Sequence, residues 1–126
     1  MGQAGRVVQG AGWRVSGKLN ALFICSRNQW RSPTAEQVFR RHPALAVRSA
    51  GTSASARKQV SHLDLAWADV IIVMESKHKS RLLAEHARTL TGKPLHVLDI
   101  PDDYRFMDPE LVELLEAAVP PLLGID

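Results

Sequence analysis

The sequence predicts a small three-layer α/β domain built on four parallel strands. Short and almost wholly apolar runs, typical of strands buried on both faces, alternate with segments whose apolar residues recur at helical spacing. Because a helix separates each strand from the next, the strands are expected to pair in parallel through right-handed crossovers. The 126 residues are enough for one domain with a single core.

The first half of the domain is predicted to hold two strands and one helix. The first strand contains the apolar run Leu22-Phe23-Ile24 and ends at Cys25. The helix that follows has one apolar face, formed by Ala35, Val38 and Phe39. A short second strand over residues 44–50 leads into a loop of small residues at 51–56.

The middle of the chain is predicted to form helix, strand and helix in turn. Ser61 is expected to cap a short helix that extends to Trp67. Residues 68–74 form a buried third strand, interrupted only by Asp69. Ser76 is expected to cap a longer helix with an apolar face formed by Leu83, Ala87 and Leu90.

The last strand and helix follow Gly92-Lys93-Pro94, which should end the long helix. Residues 95–98 are predicted to form the fourth strand. Asp108-Pro109-Glu110 opens the final helix, and Pro120-Pro121 should fray its end. Its apolar face consists of Leu111, Leu115, Ala118 and Leu122.

The segment between the first strand and the first helix predicts an oxyanion site. Cys25 lies where a buried strand ends, and Arg31 follows six residues later. Pro33 fits the first turn of a helix, where its missing N–H costs nothing. A tight loop before a helix turns backbone N–H groups inward, and the helix N-terminus adds partial positive charge. A thiol and a guanidinium would therefore face a bound anion.

These two side chains suit phosphoryl transfer. Only a thiolate attacks phosphorus, and the loop amides, the helix end and Arg31 would all favour that charged form of Cys25. Arg31 can bind two phosphoryl oxygens at once, a task that lysine performs less well. The alternatives are an inert buried cysteine and a surface arginine.

The order Cys25, five residues, Arg31, Ser32 resembles the low-molecular-weight protein tyrosine phosphatases, whose phosphate loop has the pattern C-x5-R. Asn28, residues 49–52 and residues 68–75 also resemble that family, and the likeness covers roughly residues 19–123. The resemblance implies a phosphatase-I-like fold with strand order 2-1-3-4 and the Cys25 loop at the carboxyl ends of the strands. It also implies a metal-independent hydrolase that needs no cofactor and forms a phosphocysteine intermediate.

The resemblance implies the roles of the loop residues. Phosphate would be bound by Ser26, Arg27, Asn28, Gln29, Trp30, Arg31 and Ser32. The Ser32 hydroxyl would donate to the Cys25 sulfur, and Asn28 would hold the loop by hydrogen bonds. An N-cap serine and a turn asparagine with left-handed φ are the alternative interpretations. Arg27 and Trp30 are bulkier than is usual in the family.

The general acid is expected in the loop after the fourth strand. In the family this acid is followed by proline and then an aromatic residue. Asp102 matches best by position because Tyr104 stands two residues on, while Asp103 and Asp108 are alternatives. Asp108 precedes a proline, but that pair is also explained as a helix N-cap. Asp99 is expected at the end of the strand.

The expected substrate is phosphotyrosine in a protein, although a smaller phosphoester is an alternative. The segment between Thr52 and Val60 is much shorter than the stretch that carries the aromatic substrate wall in tyrosine-specific members of the family. The remaining stacking partners are Trp30, Tyr104 and Phe106. A domain that binds phosphate or a phosphoprotein without catalysis is one rival. An arsenate-reductase-like protein is another, disfavoured by the single cysteine. A phosphocysteine carrier of sugar transport would not need Arg31.

Composition indicates the cellular compartment and argues against a metal site and a membrane span. One cysteine forbids an intramolecular disulfide and suits a reducing cytoplasm. The histidines at 42, 62, 78, 86 and 96 show no metal spacing and are interpreted as surface or ordinary core residues. No apolar run approaches the roughly 18 residues of a membrane span. The oligomeric state is not indicated.

Charge is distributed unevenly along the chain. The net charge of +3 is accounted for by residues 1–20, which hold three basic and no acidic residues, so nucleic acid is not an expected partner. Residues 27–93 carry twelve Lys or Arg against five Asp or Glu, a balance that would attract phosphorylated substrates, with a mixed solvated surface as the alternative interpretation. Residues 1–18 contain five glycines and are interpreted as a flexible N-terminal extension before a domain at 19–126.

Overall fold

The computed structural model describes residues 17–125, so the expected extension at 1–18 lies almost wholly outside the described residues. Four strands alternate with four helices, and all strand pairs are parallel in the order β2-β1-β3-β4. The predicted fold class and strand order are both confirmed. The elements are β1 (Leu19–Cys25), α1 (Arg31–Phe39), β2 (Leu45–Gly51), α2 (His62–Trp67), β3 (Val70–Val73), α3 (Ser76–Leu90), β4 (Leu95–Val97) and α4 (Pro109–Leu123).

The core lies on both faces of the sheet. Alternate residues of a strand point to opposite faces, and in β1 Phe23 packs on the side of α1 and α4 whereas Leu22 and Ile24 pack on the side of α2 and α3. The Phe23 and Phe39 rings stack with centroids 5.9 Å apart. Both faces of β1 are therefore buried. Cys25 is its last residue and lies where the carboxyl ends of the parallel strands meet.

Two predictions about α3 are wrong. Its N-cap is Glu75 rather than Ser76, and its buried face consists of His78, Leu82 and Leu90. Leu83, which was expected in the core, is 43% exposed. The expected spacing assumed an uninterrupted helix, but His86 has non-helical backbone angles (φ −138°, ψ 31°). The kink rotates the end of α3 relative to its beginning. Leu90 therefore packs in the core on the same side as Leu82, and Leu83 does not share that side.

The end of α4 also differs from the prediction, because the helix continues through Pro120 and Pro121 to Leu123. Gly124 adopts a left-handed backbone (φ 69°), and the N–H groups of Gly124 and Ile125 donate to carbonyl groups of the two prolines. This C-cap satisfies carbonyls that would otherwise be free and holds the last turn closed. The buried face is Leu111, Leu115 and Val119, rather than a face including Ala118 and Leu122.

The helix starts follow the sequence more closely. Ser61 caps α2 in a capping box with Asp64, as predicted from its position. Asp108 caps α4 with Pro109 at the first helical position. Within residues 17–125, no helix combines the length and apolar character needed to cross a membrane.

Candidate active site

The loop between β1 and α1 turns its carbonyl groups away from the cavity that it encloses. The carbonyl oxygens of four successive residues, Cys25 to Asn28, accept hydrogen bonds at 2.9–3.0 Å from the neighbouring loop after β2. The donors are the N–H groups of Thr52, Ser53 and Arg57 and the Arg57 Nε atom. Because the carbonyls are paired on the outside, the loop amides and the N-terminus of α1 remain for an anion.

Two backbone features permit this close packing. A Cβ atom on Gly51 would lie 2.5 Å from the Ser26 carbonyl oxygen and 2.7 Å from the Ala56 Cβ, so only glycine fits there. Asn28 has φ 53°, the left-handed conformation that asparagine tolerates better than most residues. The turn interpretation of Asn28 is therefore confirmed, and both residues keep the loop tight around the cavity.

Cys25 and Ser32 are in contact, with Sγ and Oγ 3.0 Å apart and both residues buried. The Asn28 Nδ2 group donates to Ser32 Oγ at 2.9 Å and to Ser49 Oγ at 3.0 Å. The Ser32 hydroxyl can itself donate to the sulfur, and its other acceptor among residues 17–125 is the Ala50 carbonyl at 3.4 Å. The alternative of an N-cap serine is wrong, because Trp30 is the N-cap residue of α1.

Arg31 is the first residue of α1 and is only 2% exposed. Its Nη1 atom donates to Glu75 Oε1 and to the Ile100 carbonyl, both at 2.7 Å. Its Nε atom lies 3.5 Å from Asp102 Oδ1. Two contacts at one nitrogen hold the guanidinium in a fixed position beside the cavity, which Arg31 lines.

Glu75 holds Arg31 as a carboxylate. Burial by itself raises the pKa of Glu75, but the hydrogen bond and charge of Arg31, with smaller contributions from Lys77 and His78, leave the pKa below its usual value. A charged Glu75 therefore partners the buried guanidinium, a role not predicted from the sequence. Its position directly after β3, at the carboxyl edge of the sheet, was the available signal.

His78 lies against the loop between β1 and α1, with Nε2 2.9 Å from the Ser26 Oγ atom. Burial lowers its pKa, as does the charge of Arg31, to about 4, although Glu75 and Asp102 oppose the shift. The imidazole is therefore neutral at pH 7. His78 is buried as a core histidine would be, but the interpretation as an ordinary core residue missed its contact with the site.

Of the predicted acids, Asp102 lines the cavity with Cys25 and Arg31. Asp103 is exposed and is not among the cavity residues. Asp108 accepts a hydrogen bond from the Glu110 N–H at 2.9 Å, so its helix-capping interpretation is confirmed. Asp99 does not belong to the strand, which ends at Val97; it lies in the following loop with φ 59°.

The three predicted stacking partners do not line one common cavity. Trp30 lines the cavity of about 250 Å³ that contains Cys25, and the Arg105 guanidinium lies 5.8 Å from its ring centroid. Tyr104 packs against the core beside α4, and its hydroxyl donates to Glu110 Oε2 at 3.3 Å. Phe106 is 50% exposed and lines a different cavity.

That second cavity, of about 660 Å³, adjoins the first through Gln29, which lines both. The side chains of Arg40, Arg57 and Phe106 also line it. The remaining predicted phosphate-binding residues, Ser26, Arg27, Gln29, Trp30 and Arg31, line the smaller cavity, whereas Asn28 and Ser32 support it from behind.

A curated relative identifies the family. A scan of the chain against protein-family models finds no match. The low-molecular-weight protein-tyrosine-phosphatase Wzb of Escherichia coli (strain K12) is 33% identical over 116 residues, covering 68% of this chain and 78% of the relative. The chain belongs to the low-molecular-weight protein tyrosine phosphatase family. The predicted resemblance and the expected phosphatase class are confirmed.

Several solved phosphatase structures have the same fold. A low-molecular-weight protein tyrosine phosphatase from Streptococcus pyogenes superposes with a TM-score of 0.69, at 20% identity, over 84% of this chain and 91% of its own. Wzb from Escherichia coli K30 in complex with phosphate gives 0.64, at 23% identity, over 79% and 91%. The YwlE arginine phosphatase from Geobacillus stearothermophilus gives 0.62, at 20% identity, over 84% and 94%.

Proposed function

We propose that this protein hydrolyses phosphomonoesters through a phosphocysteine intermediate, with phosphotyrosine in proteins as the substrate class. The observation that carries the proposal is the convergence of Cys25, Arg31 and Asp102 on one cavity of about 250 Å³. The enclosing loop has its carbonyl groups paired on the outside. A nucleophile, an electrostatic clamp and an acid therefore surround the same space.

In the first step the Cys25 thiolate attacks phosphorus in line with the leaving oxygen. A P–S bond forms, the P–O bond to the leaving group breaks, and Asp102 gives its proton to the departing oxygen. In the second step the Asp102 carboxylate takes a proton from water as the water oxygen attacks phosphorus. The P–S bond then breaks, phosphate leaves, and Asp102 is again protonated.

The same residues stabilise charge in both steps. Arg31 and the loop amides bind the equatorial oxygens, on which negative charge accumulates in the transition state. The Ser32 hydroxyl, 3.0 Å from the sulfur, stabilises the thiolate when it leaves in the second step. Glu75 and the Ile100 carbonyl hold Arg31 so that no reorganisation is needed during reaction.

The second cavity favours a phosphorylated protein over a small phosphoester. It adjoins the cavity that contains Cys25, here called the phosphate cavity, at Gln29. It is large enough for residues flanking a phosphorylated side chain. Arg40 and Arg57 outnumber Glu36 among its lining residues, and the resulting positive charge favours acidic flanking residues. Trp30 supplies the aromatic wall on which a tyrosine ring can stack.

Phosphoarginine is a second candidate substrate, because the wall of the phosphate cavity is largely polar. Ser26, Gln29 and Asp102 line it alongside the single aromatic ring of Trp30. The Asp102 carboxylate, 56% exposed, could pair with a guanidinium. Arg27 at the same wall repels that group and favours phosphotyrosine as the first candidate.

The need for a reduced thiol also indicates the cellular compartment of the protein. A nucleophilic cysteine must remain reduced, a condition met in the cytoplasm, where we place this enzyme.

The test is hydrolysis of p-nitrophenyl phosphate by the purified protein in the presence of EDTA. We expect turnover without added metal, and strict dependence on a divalent ion would refute the mechanism. Cys25→Ser should keep its fold, retain phosphate binding and lose turnover. An active serine variant would remove Cys25 from the mechanism.

Peptides carrying phosphotyrosine or phosphoarginine, compared by kcat/KM, then separate the two substrate classes. A protein that binds phosphate but hydrolyses none of these substrates would be the non-catalytic binding domain.

A further inference from the structure

We propose that the Ser26 hydroxyl is an additional hydrogen-bond donor to the bound phosphoryl group and that His78 positions it. This inference rests on the proposed function and extends it to two side chains outside the thiol–arginine–acid set. Ser26 lines the phosphate cavity, and within residues 17–125 its hydroxyl has one polar contact, to His78 Nε2 at 2.9 Å. His78 reaches the loop from the first turn of α3, 52 residues further along the chain.

The direction of this hydrogen bond follows from the other ring nitrogen. The backbone N–H of Glu75 donates to His78 Nδ1 at 3.0 Å. An amide N–H is only a donor, so Nδ1 must present its lone pair, and a neutral imidazole then carries its hydrogen on Nε2. Nε2–H therefore donates to Ser26 Oγ. The neutral state agrees with the buried position of the ring beside Arg31 and Lys77.

The Ser26 hydroxyl is consequently left as a donor. Its oxygen accepts from His78, and within residues 17–125 no acceptor is paired with its hydrogen. The hydrogen is free to point into a cavity lined by Cys25 and Arg31, where the expected acceptor is a phosphoryl oxygen. Without this partner the serine hydroxyl could rotate and donate its hydrogen to another acceptor. The imidazole therefore preorganises the donor.

The test is a double-mutant cycle on the affinity of inorganic phosphate, measured by isothermal titration calorimetry on the full chain. Ser26→Ala should weaken phosphate binding about tenfold, the fold-change of a lost hydrogen bond to a charged group. His78→Phe removes both ring hydrogen bonds and should weaken binding by a similar factor. In the Ser26→Ala background, His78→Phe should add little, because the two residues act through one hydrogen bond.

Further variants separate positioning from structural support. His78→Gln keeps a donor near the Nε2 position and should restore most of the affinity lost in His78→Phe. His62→Phe, on the exposed start of α2, is the matched control and should bind phosphate as the unaltered protein does. Circular dichroism and melting temperature establish that each variant is folded.

Three results would overturn the inference. Ser26→Ala with unchanged phosphate affinity would remove the donor. Fully additive losses in the double variant would show that His78 acts without Ser26, and failure of His78→Gln to restore binding would exclude the Nε2 donor. If the unaltered protein binds no phosphate, the proposed function itself fails, which is a distinguishable outcome.

Discussion

Acid should destabilise this protein through His78, whose pKa in the folded state is about 4 instead of the ordinary 6.5. Between those two values the unfolded chain binds a proton at this residue that the folded protein does not bind. Stability rises with pH wherever the unfolded state binds more protons. The contribution of the neutral imidazole is therefore present above the unfolded pKa and is lost progressively as pH falls from about 6.5 toward 4.

The size of this loss in stability follows from the folded and unfolded pKa values of His78. Between pH 7 and pH 5 the free energy of unfolding should fall by about 2 kcal/mol through this one residue. For a domain of this size that loss corresponds to a decrease in melting temperature on the order of 5–10 °C. His78 is only 1% exposed, so solvent screening does little to reduce the effect.

The assay is urea denaturation of the unaltered protein and of His78→Gln at both pH values, with the free energy obtained by linear extrapolation. Glutamine binds no proton in this range, so the variant removes the histidine term and leaves those of the carboxylates. The stability difference between the two proteins should change by about 2 kcal/mol in favour of the variant at pH 5. His62→Gln, at an exposed position, serves as the control.

Parallel losses of stability in the unaltered protein and in His78→Gln between pH 7 and pH 5 would contradict this role of His78. That result would mean that the folded protein binds a proton at His78 as readily as the unfolded chain does. The Glu75 N–H contact to Nδ1 would then not be maintained, because a protonated ring has no lone pair to offer it.

Four other substitutions test the site. Gly51→Ala should lower the free energy of unfolding by about 1–3 kcal/mol in urea denaturation, because its Cβ would overlap a loop carbonyl oxygen at 2.5 Å; unchanged stability would mean that the loops separate freely. Glu75→Gln should lower kcat/KM for p-nitrophenyl phosphate by releasing Arg31, and equal activity would assign Arg31 to its other anchors. Asp102→Asn should slow an alkyl phosphate by ~10²–10⁴-fold, and p-nitrophenyl phosphate less, since p-nitrophenolate departs without a proton; equal losses would indicate a positioning role. Arg40→Ala should raise KM for an acidic phosphotyrosine peptide more than KM for p-nitrophenyl phosphate, and equal changes would place the peptide elsewhere.

The fold was accessible from the sequence because its determinants are local. Apolar runs of strand length alternate with helical periodicity, and the right-handed crossover rule leaves few arrangements of such a chain. Ser61 and Asp108 marked helix starts correctly because a cap is formed by residues three or fewer positions apart. The distance from Cys25 to Arg31 is equally local, so the sequence alone placed a thiol and a guanidinium on one loop.

Tertiary structure decided which distant side chains meet that loop. Glu75 and His78 lie 44 and 52 positions from their partners Arg31 and Ser26, and no local pattern sets such a contact. Parallel pairing of β1 with β3 brings both carboxyl ends to one edge of the sheet. The residues directly after β3 therefore reach the loop between β1 and α1.

The same distinction explains the acid and the buried face of α3. Asp102 and Asp103 are neighbours in an irregular loop, so only the path of the backbone determines which one lines the cavity with Cys25. Leu82 and Leu83 are likewise adjacent apolar residues, and the way the first turns of α3 pack on the sheet determines that Leu82 is the buried one. Local periodicity specifies the kind of element, whereas a choice between adjacent residues depends on backbone geometry that only the packed structure fixes.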